Sequence, residues 1–212
     1  MARRRSEAAN EEKKSTRNIS EEHVQSVSKD EEKLQEKIFF SAAGFCLLDS
    51  LLPGEKLGGF VAKGIDGVSK NIRTFSSQDL LDSNCIFVFL PCNFTESSTN
   101  LVSFLRELSL KFQEESPLDF KIFTVSTDSV ESNLAWIELN WSSDIPFHML
   151  SDCTGDLCRK FGVLDEETHR AYTSVFLIDK HGHVQGSTVC GHNGIFTSSI
   201  DSLMDMVNSL EI

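Results

Sequence analysis

The sequence predicts an α/β protein in which a central mixed β-sheet is flanked by helices, and three stretches carry that prediction. Residues 85–90 are a short β-branched and aromatic run, followed by a turn at Pro91 and by apolar residues at helical spacing from Leu101. Residues 120–126 predict a second strand, with a helix after it over 128–139. Finally, two runs of alternating hydrophobicity surround the Gly182 turn, which predicts an antiparallel pair.

Apolar periodicity, glycines and capping residues predict the remaining elements of a domain over residues 53–212. They are strands over 59–63 and 70–75, a short helix ending near residue 81, a helix from Asp152 or Thr154 to Phe161, and a last helix over 198–210. The pair Asp66-Gly67 lies between the first two strands and predicts a hairpin turn there. The order of strands, helices, antiparallel pair and closing helix is that of a thioredoxin fold with insertions.

The charge of the chain argues against nucleic acid as a partner. The 212 residues carry a net charge of -12, and almost all of that excess belongs to residues 53–212. An acidic body repels a phosphate backbone, which basic proteins bind through lysine and arginine.

The six cysteines predict reduced thiols in the cytoplasm or nucleus. They are scattered along a chain that is too long to need disulfides for its stability. The first residues, MARRRS, are followed by charged residues with no apolar stretch of the kind found in secretory signals. We therefore expect a cytoplasmic or nuclear protein.

The first 52 residues divide into two segments of opposite character. Residues 1–33 are charged, serine-rich and nearly free of large apolar side chains, which predicts a disordered tail. Residues 34–52 include the run IFFSAAGFCLLDSLL, from which we predict an apolar helix that packs on the domain or in an oligomer contact. A helix lying on a membrane surface is the less favoured alternative, and the run is too short for a membrane span of about 20 residues.

Six short motifs follow one another along the domain. They are PGEKLGGF at 53–60, VSTDS at 125–129, LAW at 134–136, LSDCTG at 150–155, FGVL at 161–164 and AYTSVFLIDKHGHV at 171–184. In this order they resemble the motifs of the peroxiredoxins, especially of their typical two-cysteine subgroup. The resemblance, to the alkyl hydroperoxide reductase and thiol-specific antioxidant type, covers about residues 53–210. It implies a thioredoxin fold and a thiol that reduces hydroperoxides, without a cofactor or a metal.

The resemblance also implies a reactive cysteine in the loop after the central strand, and this chain departs from that pattern. Pro91 and Thr95 match the family's loop motif, but Ser97 stands at the position of the peroxidatic cysteine. Without a one-residue gap the position falls on Ser98, which is also a serine. Thr173 occupies the place of the family's arginine, which steadies the thiolate.

Two further departures concern the loop and the end of the sequence. Asn100 replaces the family's glutamate, and the sequence ends at Ile212, without the tail that carries the resolving cysteine. We therefore predict a family member that has lost thiol peroxidase activity. Such a protein would act as a binding or structural partner in redox homeostasis.

The resemblance also suggests partners. Family members pair edge to edge, so we expect a homodimer or a larger homo-oligomer through residues 184–189. Thioredoxin or another peroxiredoxin is a further candidate partner, and neither nucleic acid nor a membrane is expected.

The alternative function is a thioredoxin-dependent peroxidase that uses an unorthodox thiol. Cys92 is the candidate, because it lies at the end of the central strand. Cys85 lies within that strand and is expected in the core. Arg170 is a candidate substitute for the family's arginine, but it is three residues before Thr173, so strand alternation predicts that its side chain points away from the site.

The remaining cysteines and histidines are not expected to form a redox pair or a metal site. Cys153 and Cys158 lack the spacing of a C-x-x-C motif. His181 and His183 lie in a turn, while Cys190 is at the far end of the following strand. We therefore interpret the two histidines as solvated turn residues.

Overall fold

The computed structural model describes residues 38–41, 44–47, 50–80, 83–115, 120–141 and 145–190. Apart from Ile38, the described residues belong to one compact unit, which begins at residue 39. The tail predicted over 1–33 and the helix predicted over 198–210 lie outside the described residues.

A seven-stranded mixed sheet forms the centre of the protein and confirms the predicted fold class. Its strands are β3 (Val61–Ile65), β4 (Ile72–Ser76), β5 (Asn84–Phe89), β6 (Phe120–Ser126), β7 (His148–Ser151), β10 (Thr173–Ile178) and β11 (Val184–Cys190). They lie side by side in the order β11-β10-β5-β6-β7-β3-β4. The strands β5, β6 and β7 are parallel to one another, and the other neighbours pair antiparallel.

Strand β5 lies in the middle of the sheet and is buried on both faces. On one face, Ile86 and Val88 join the apolar cluster that contains Trp136. On the other face, Phe87 and Phe89 stack with each other at a centroid distance of 6.5 Å. This double burial explains why residues 85–90 are apolar without interruption rather than alternating with polar residues.

Three helices accompany the sheet in the part of the chain that the structure describes. They are α1 (Glu96–Glu115), α2 (Val130–Asn140) and α3 (Asp156–Lys160), and a 3-10 turn covers Ser77–Leu80. Helix α2 begins where Ser129 accepts a hydrogen bond from the amide of Ser132, as an N-cap serine does. At α3, buried Asp152 accepts from the amides of Leu157 and Cys158. Side-chain acceptors thus fix where both helices begin.

The hairpin of β3 and β4 forms at the predicted turn. Asp66 accepts hydrogen bonds from the amides of Val68 and Ser69, and Ile65 pairs with Ile72 across the turn. A side chain at Gly67 would place its Cβ 1.9 Å from the carbonyl oxygen of Phe147. Only glycine therefore allows the turn to pack against the segment that precedes β7.

The helix predicted over residues 34–52 is wrong where the structure describes that segment. Ile38–Ser41 (β1) and Gly44–Leu47 (β2) are strands that form a two-stranded sheet, and β2 lies close to β11. Isoleucine and phenylalanine favour strands, and periodicity alone cannot distinguish a short continuous apolar run in a strand from one in a helix.

A second small sheet connects α3 to β10. Leu164–Asp165 (β8) pairs with Arg170–Ala171 (β9). Neither of these two-residue strands was predicted from the sequence. Tyr172 separates β9 from β10, and its amide donates to the carbonyl of Val163. The chain therefore changes its pairing partner at this residue.

Within the described residues, none of the helices combines the length and the apolar character that crossing a membrane requires.

Replacing Phe89 by alanine is expected to reduce the free energy of unfolding by about 3–5 kcal/mol. The change leaves a cavity beside the rings of Phe87 and Phe161, which contact Phe89 on this face of the sheet. Phe94→Ala is the matched control, since that ring is 56 % exposed, and should cost about 1 kcal/mol or less. Urea denaturation measures both. Equal losses for the two variants would contradict the central role of β5.

His148 should make the stability of the protein dependent on pH. Its pKa is lowered chiefly because burial disfavours the imidazolium. The nearby charges of Arg73 and Lys121 lower the pKa further, whereas those of Asp66 and Asp79 raise it without reversing the shift. The unfolded chain binds a proton at about pH 6.5, whereas the folded chain keeps His148 neutral to lower pH. Stability conferred by the neutral ring is therefore lost as the pH falls below about 6.5.

The variant His148→Gln should show a smaller loss of unfolding free energy between about pH 7 and pH 5 than the natural chain. The exposed His181 provides the control, and His181→Gln should keep the natural slope. Chemical denaturation at several pH values measures the slopes. An unchanged slope in His148→Gln would rule out this source of pH dependence.

Candidate functional site

The candidate site is the loop that leaves β5 at Pro91 and ends where α1 begins. The amide of Leu90 donates to the carbonyl of Val125 at 2.8 Å, so pairing with β6 continues to the residue before the loop. At the other end, the Thr95 hydroxyl accepts from the Ser98 amide at 3.3 Å. Thr95 is thus the N-cap of α1, and the two retained motif residues mark the two ends of the loop.

Asn93 anchors the loop to the α2 side of the sheet. Its amide donates to Asp128 Oδ2 at 2.6 Å, and its Nδ2 donates to Asn133 Oδ1 at 2.5 Å. The Ser126 hydroxyl donates to the same Asn133 oxygen at 3.3 Å. Both asparagines are buried, so these bonds are shielded from water. The loop is held by a polar network that the sequence analysis missed, because the partners lie 35 and 40 residues away.

The two candidate serines lie in the first turn of α1 and differ in exposure. Ser97 is exposed, and its hydroxyl lies 3.4 Å from that of Thr95. Ser98 is 2 % exposed, and its hydroxyl has no hydrogen-bond partner among the described residues. Neither serine has a histidine or carboxylate partner in the described chain, so neither is set up as an activated nucleophile.

Thr173 supplies no charge to the site. It is the first residue of β10, is 7 % exposed, and pairs with Cys190 of β11. The neutral side chain stands where the resemblance implies a cation.

Arg170 reaches the loop, contrary to the prediction from strand alternation. Its Nη1 lies 3.5 Å from the Sγ of Cys92, although Arg170 itself is exposed. Alternation counted back from Thr173 does not apply, because Arg170 belongs to β9 and the pairing changes at Tyr172. The structure thus places a positive charge beside Cys92.

The other thiols occupy different environments. Cys85 is buried within β5, as predicted. Cys158 is buried in α3, and burial together with nearby Asp152 raises the pKa of its thiol well above the usual range. Cys153 is exposed, and its thiol donates to the carbonyl of Asp128 at 3.5 Å.

His181 and His183 lie in the turn between β10 and β11, where Asp179 accepts from both of their amides. Burial alone would raise the pKa of Asp179, but these amides and nearby His183 outweigh burial and lower it. In the described part of the chain, no group of three or more histidine, cysteine, aspartate or glutamate residues is arranged to hold a metal ion.

Comparisons with known proteins agree with the fold and with the sequence resemblance. The model of the AhpC/TSA family matches residues 53–187. A protein named 2-Cys peroxiredoxin BAS1, chloroplastic, from Hordeum vulgare is 29% identical over 178 residues, which is 81% of either chain. Peroxiredoxin 1 of Brugia malayi is 32% identical over 127 residues, covering 58% of this chain and 54% of the relative.

The matches to several relatives are partial. The chain spans about half the length of the Brugia malayi protein and of the 2-Cys peroxiredoxins BAS1 of Spinacia oleracea and Arabidopsis thaliana, with 54%, 47% and 47% covered.

Among solved structures, AhpC of Enterococcus faecalis superposes with a TM-score of 0.62 at 24% identity, covering 76% of this chain and 98% of that one. AhpC of Mycobacterium tuberculosis gives 0.63 at 22% identity, with 75% and 99% covered. At these identities the structural likeness concerns the fold.

Replacing Asn93 by alanine should lower the free energy of unfolding by about 1–3 kcal/mol, because buried Asn133 then loses a hydrogen-bond partner. Asn100→Ala is the matched control, since Asn100 is exposed in α1, and should change the stability by less than about 0.5 kcal/mol. Thermal or urea unfolding measures both variants, and a double-mutant cycle with Asn133→Ala isolates the pair. A coupling energy of zero would disprove the anchoring role of Asn93.

Proposed function

The chain belongs to the AhpC/TSA family, the peroxiredoxins, and from this premise we propose that it has lost the family's thiol peroxidase reaction and acts as a binding or structural partner. The observation that carries the proposal is the first turn of α1. Serines occupy both possible positions of the peroxidatic cysteine, and the buried Ser98 hydroxyl has no partner among the described residues that could activate it. A serine hydroxyl is a much weaker nucleophile than a thiolate unless a base is adjacent.

The electrostatics around these serines also support the proposal. The place of the family's arginine is held by Thr173, which is buried and neutral. Glu96 precedes the serines as the first residue of α1 and adds negative charge beside them. A peroxide-reducing thiolate requires stabilisation of negative charge at this place, and neither residue provides it.

The scaffold around the loop favours a binding role. Pro91, Thr95 and the Asn93 anchor keep the loop ordered at the end of β5, although the nucleophile is absent. We propose that the chain forms a homodimer or a larger homo-oligomer through the edge strand β11, with β2 close to this edge. Thioredoxin or another peroxiredoxin is the candidate second partner, and the cytoplasm or the nucleus is the proposed location.

A second function, a peroxidase that uses Cys92, is favoured by one contact. The guanidinium of Arg170 lies 3.5 Å from the Cys92 sulfur, and a cation near a thiol is one feature of reactive cysteines. Cys92 lies in the loop before the capping residue Thr95, however, rather than within the first turn of α1. It therefore lacks the helix amides that usually stabilise a catalytic thiolate.

Peroxide consumption tests the two functions. With hydrogen peroxide and excess dithiothreitol, the natural chain should consume no more peroxide than the reductant alone. Ser97→Cys and Ser98→Cys should each remain inactive, because Thr173 leaves the new thiol without a cation. Adding Thr173→Arg to each cysteine variant should raise the rate by about tenfold or more in the variant whose cysteine occupies the peroxidatic position.

The same assay contains the outcomes that contradict the proposal. Multiple turnovers by the natural chain that disappear in Cys92→Ser would replace it by the second function. Full activity of either cysteine variant without the arginine would refute the role given to Thr173. Circular dichroism of each double variant is the folding control, because Thr173→Arg is a change at a buried strand position.

A further inference from the structure

We propose that β2 is an intrachain cover of β11, which a second copy of the chain must displace before it can pair with this strand. The inference rests on the proposed function, because it concerns the regulation of the homodimer that is proposed there. Strand β2 (Gly44–Leu47) lies outside the residues matched by the AhpC/TSA family model, which begin at residue 53. The cover is therefore a feature of this chain's own N-terminal segment.

The two outer strands of the seven-stranded sheet differ in exposure. Strand β4 lies at one edge, and its first three residues, 72–74, are exposed. Strand β11 lies at the other edge, yet the four consecutive residues 186–189 are all buried within a single chain. Successive residues of a strand point to opposite faces, so four buried residues in a row mean that the chain itself covers both faces of β11.

The start of β11 is also bonded on its outer side by the chain itself. The amide of Val184 donates to the carbonyl of Glu55 at 2.9 Å, and the carbonyl of Val184 accepts from the amide of Gly54 at 2.7 Å. The carbonyl of the preceding residue, His183, accepts from the amide of Asp179 on the β10 side. Because backbone groups alternate in direction along a strand, the two bonds of Val184 lie on the outer edge of β11.

A turn fixes the chain between β2 and this edge. The amide of Glu55 donates to the carbonyl of Leu52 at 3.0 Å, and its carboxylate accepts from the amide of Leu52 at 2.8 Å. The amide of Leu51 donates to the carbonyl of Phe161 at 3.2 Å. Only residues 48–50 lie between this last bond and the end of β2, and β2 is close to β11.

The short connection gives β2 an advantage over a second copy of the chain. A segment that is joined by a short linker acts on its neighbour at an effective concentration of about millimolar. A second copy at about micromolar concentration must therefore pair about a thousandfold more tightly to compete on equal terms. Edge-to-edge pairing through β11 is suppressed while β2 remains in place.

Displacement of β2 does not break the ladder of the seven-stranded sheet. In the described part of the chain, β2 belongs to a separate two-stranded sheet, and β11 has its ladder hydrogen bonds with β10. A second copy that pairs with β11 adds ladder hydrogen bonds that β2 does not make. The cover therefore sets the concentration at which the homodimer forms, and it does not abolish the homodimer.

The dissociation constant of the homodimer, measured by sedimentation velocity on the full-length chain, tests the proposal. Phe45→Pro removes a backbone donor from β2 and should lower the constant by about tenfold or more, because neither copy then has to open its cover. Ser20→Pro, in the segment 1–33, is the matched control and should dimerise as the natural chain does. Phe45→Asp repeats the test if the proline variant does not fold.

Hydrogen exchange followed by mass spectrometry tests the cover directly. In monomeric Phe45→Pro, amides of β11 should exchange about tenfold or more faster than in the natural monomer, while those of the central strand β6 keep their rates. When the natural chain is concentrated until it dimerises, β2 should lose protection and β11 should keep or gain it.

The two measurements distinguish failure of the cover from failure of the homodimer. Equal dissociation constants for the natural chain and the Phe45 variants, or a homodimer in which β2 keeps its protection, would overturn the cover and leave the homodimer standing. Unchanged exchange of β11 in the Phe45 variants would overturn the cover as well. If every variant stays monomeric while β11 exchanges faster in Phe45→Pro, the proposed homodimer is refuted, and the regulatory role of β2 with it, because the uncovered strand then finds no second copy.

Discussion

Burial of β5 on both faces is the constraint on which the rest of the structure depends. Ile86 and Val88 pack towards α2. Phe87 and Phe89 pack among the aromatic rings on the opposite face of the sheet, where the ring centroids of Phe89 and Phe161 are 4.8 Å apart. A strand in this position cannot shift by one residue without exchanging its two sets of side chains. The end of β5, and with it the loop at Pro91, is therefore fixed by the packing of the core.

Contacts at both ends of the loop explain how the family's architecture persists with serines in the first turn of α1. The loop is held by Thr95, which caps α1, and by Asn93, which bonds to Asp128 and Asn133. None of these contacts depends on a cysteine in the helix. The stability of the scaffold therefore does not require a thiol in the first turn of α1.

The positive charge at the site lies at a different place from the one that the resemblance implies. Thr173 in β10 is neutral, and the nearest described arginine contact to the loop comes from Arg170 in β9. The described positive charge therefore lies beside Cys92 in the loop, before the first turn of α1.

Periodicity, turn residues and motif spacing are local properties of the chain, and they were enough to predict the fold class, the succession of the main strands and the β3–β4 turn. They could not predict β1 and β2, since a short continuous apolar run has no distinguishing period. The contacts of Arg170 with Cys92 and of Asn93 with Asn133 could not be predicted either, because they depend on tertiary structure. These pairs are 78 and 40 residues apart, and they meet because strand order and a change of pairing at Tyr172 bring their elements together.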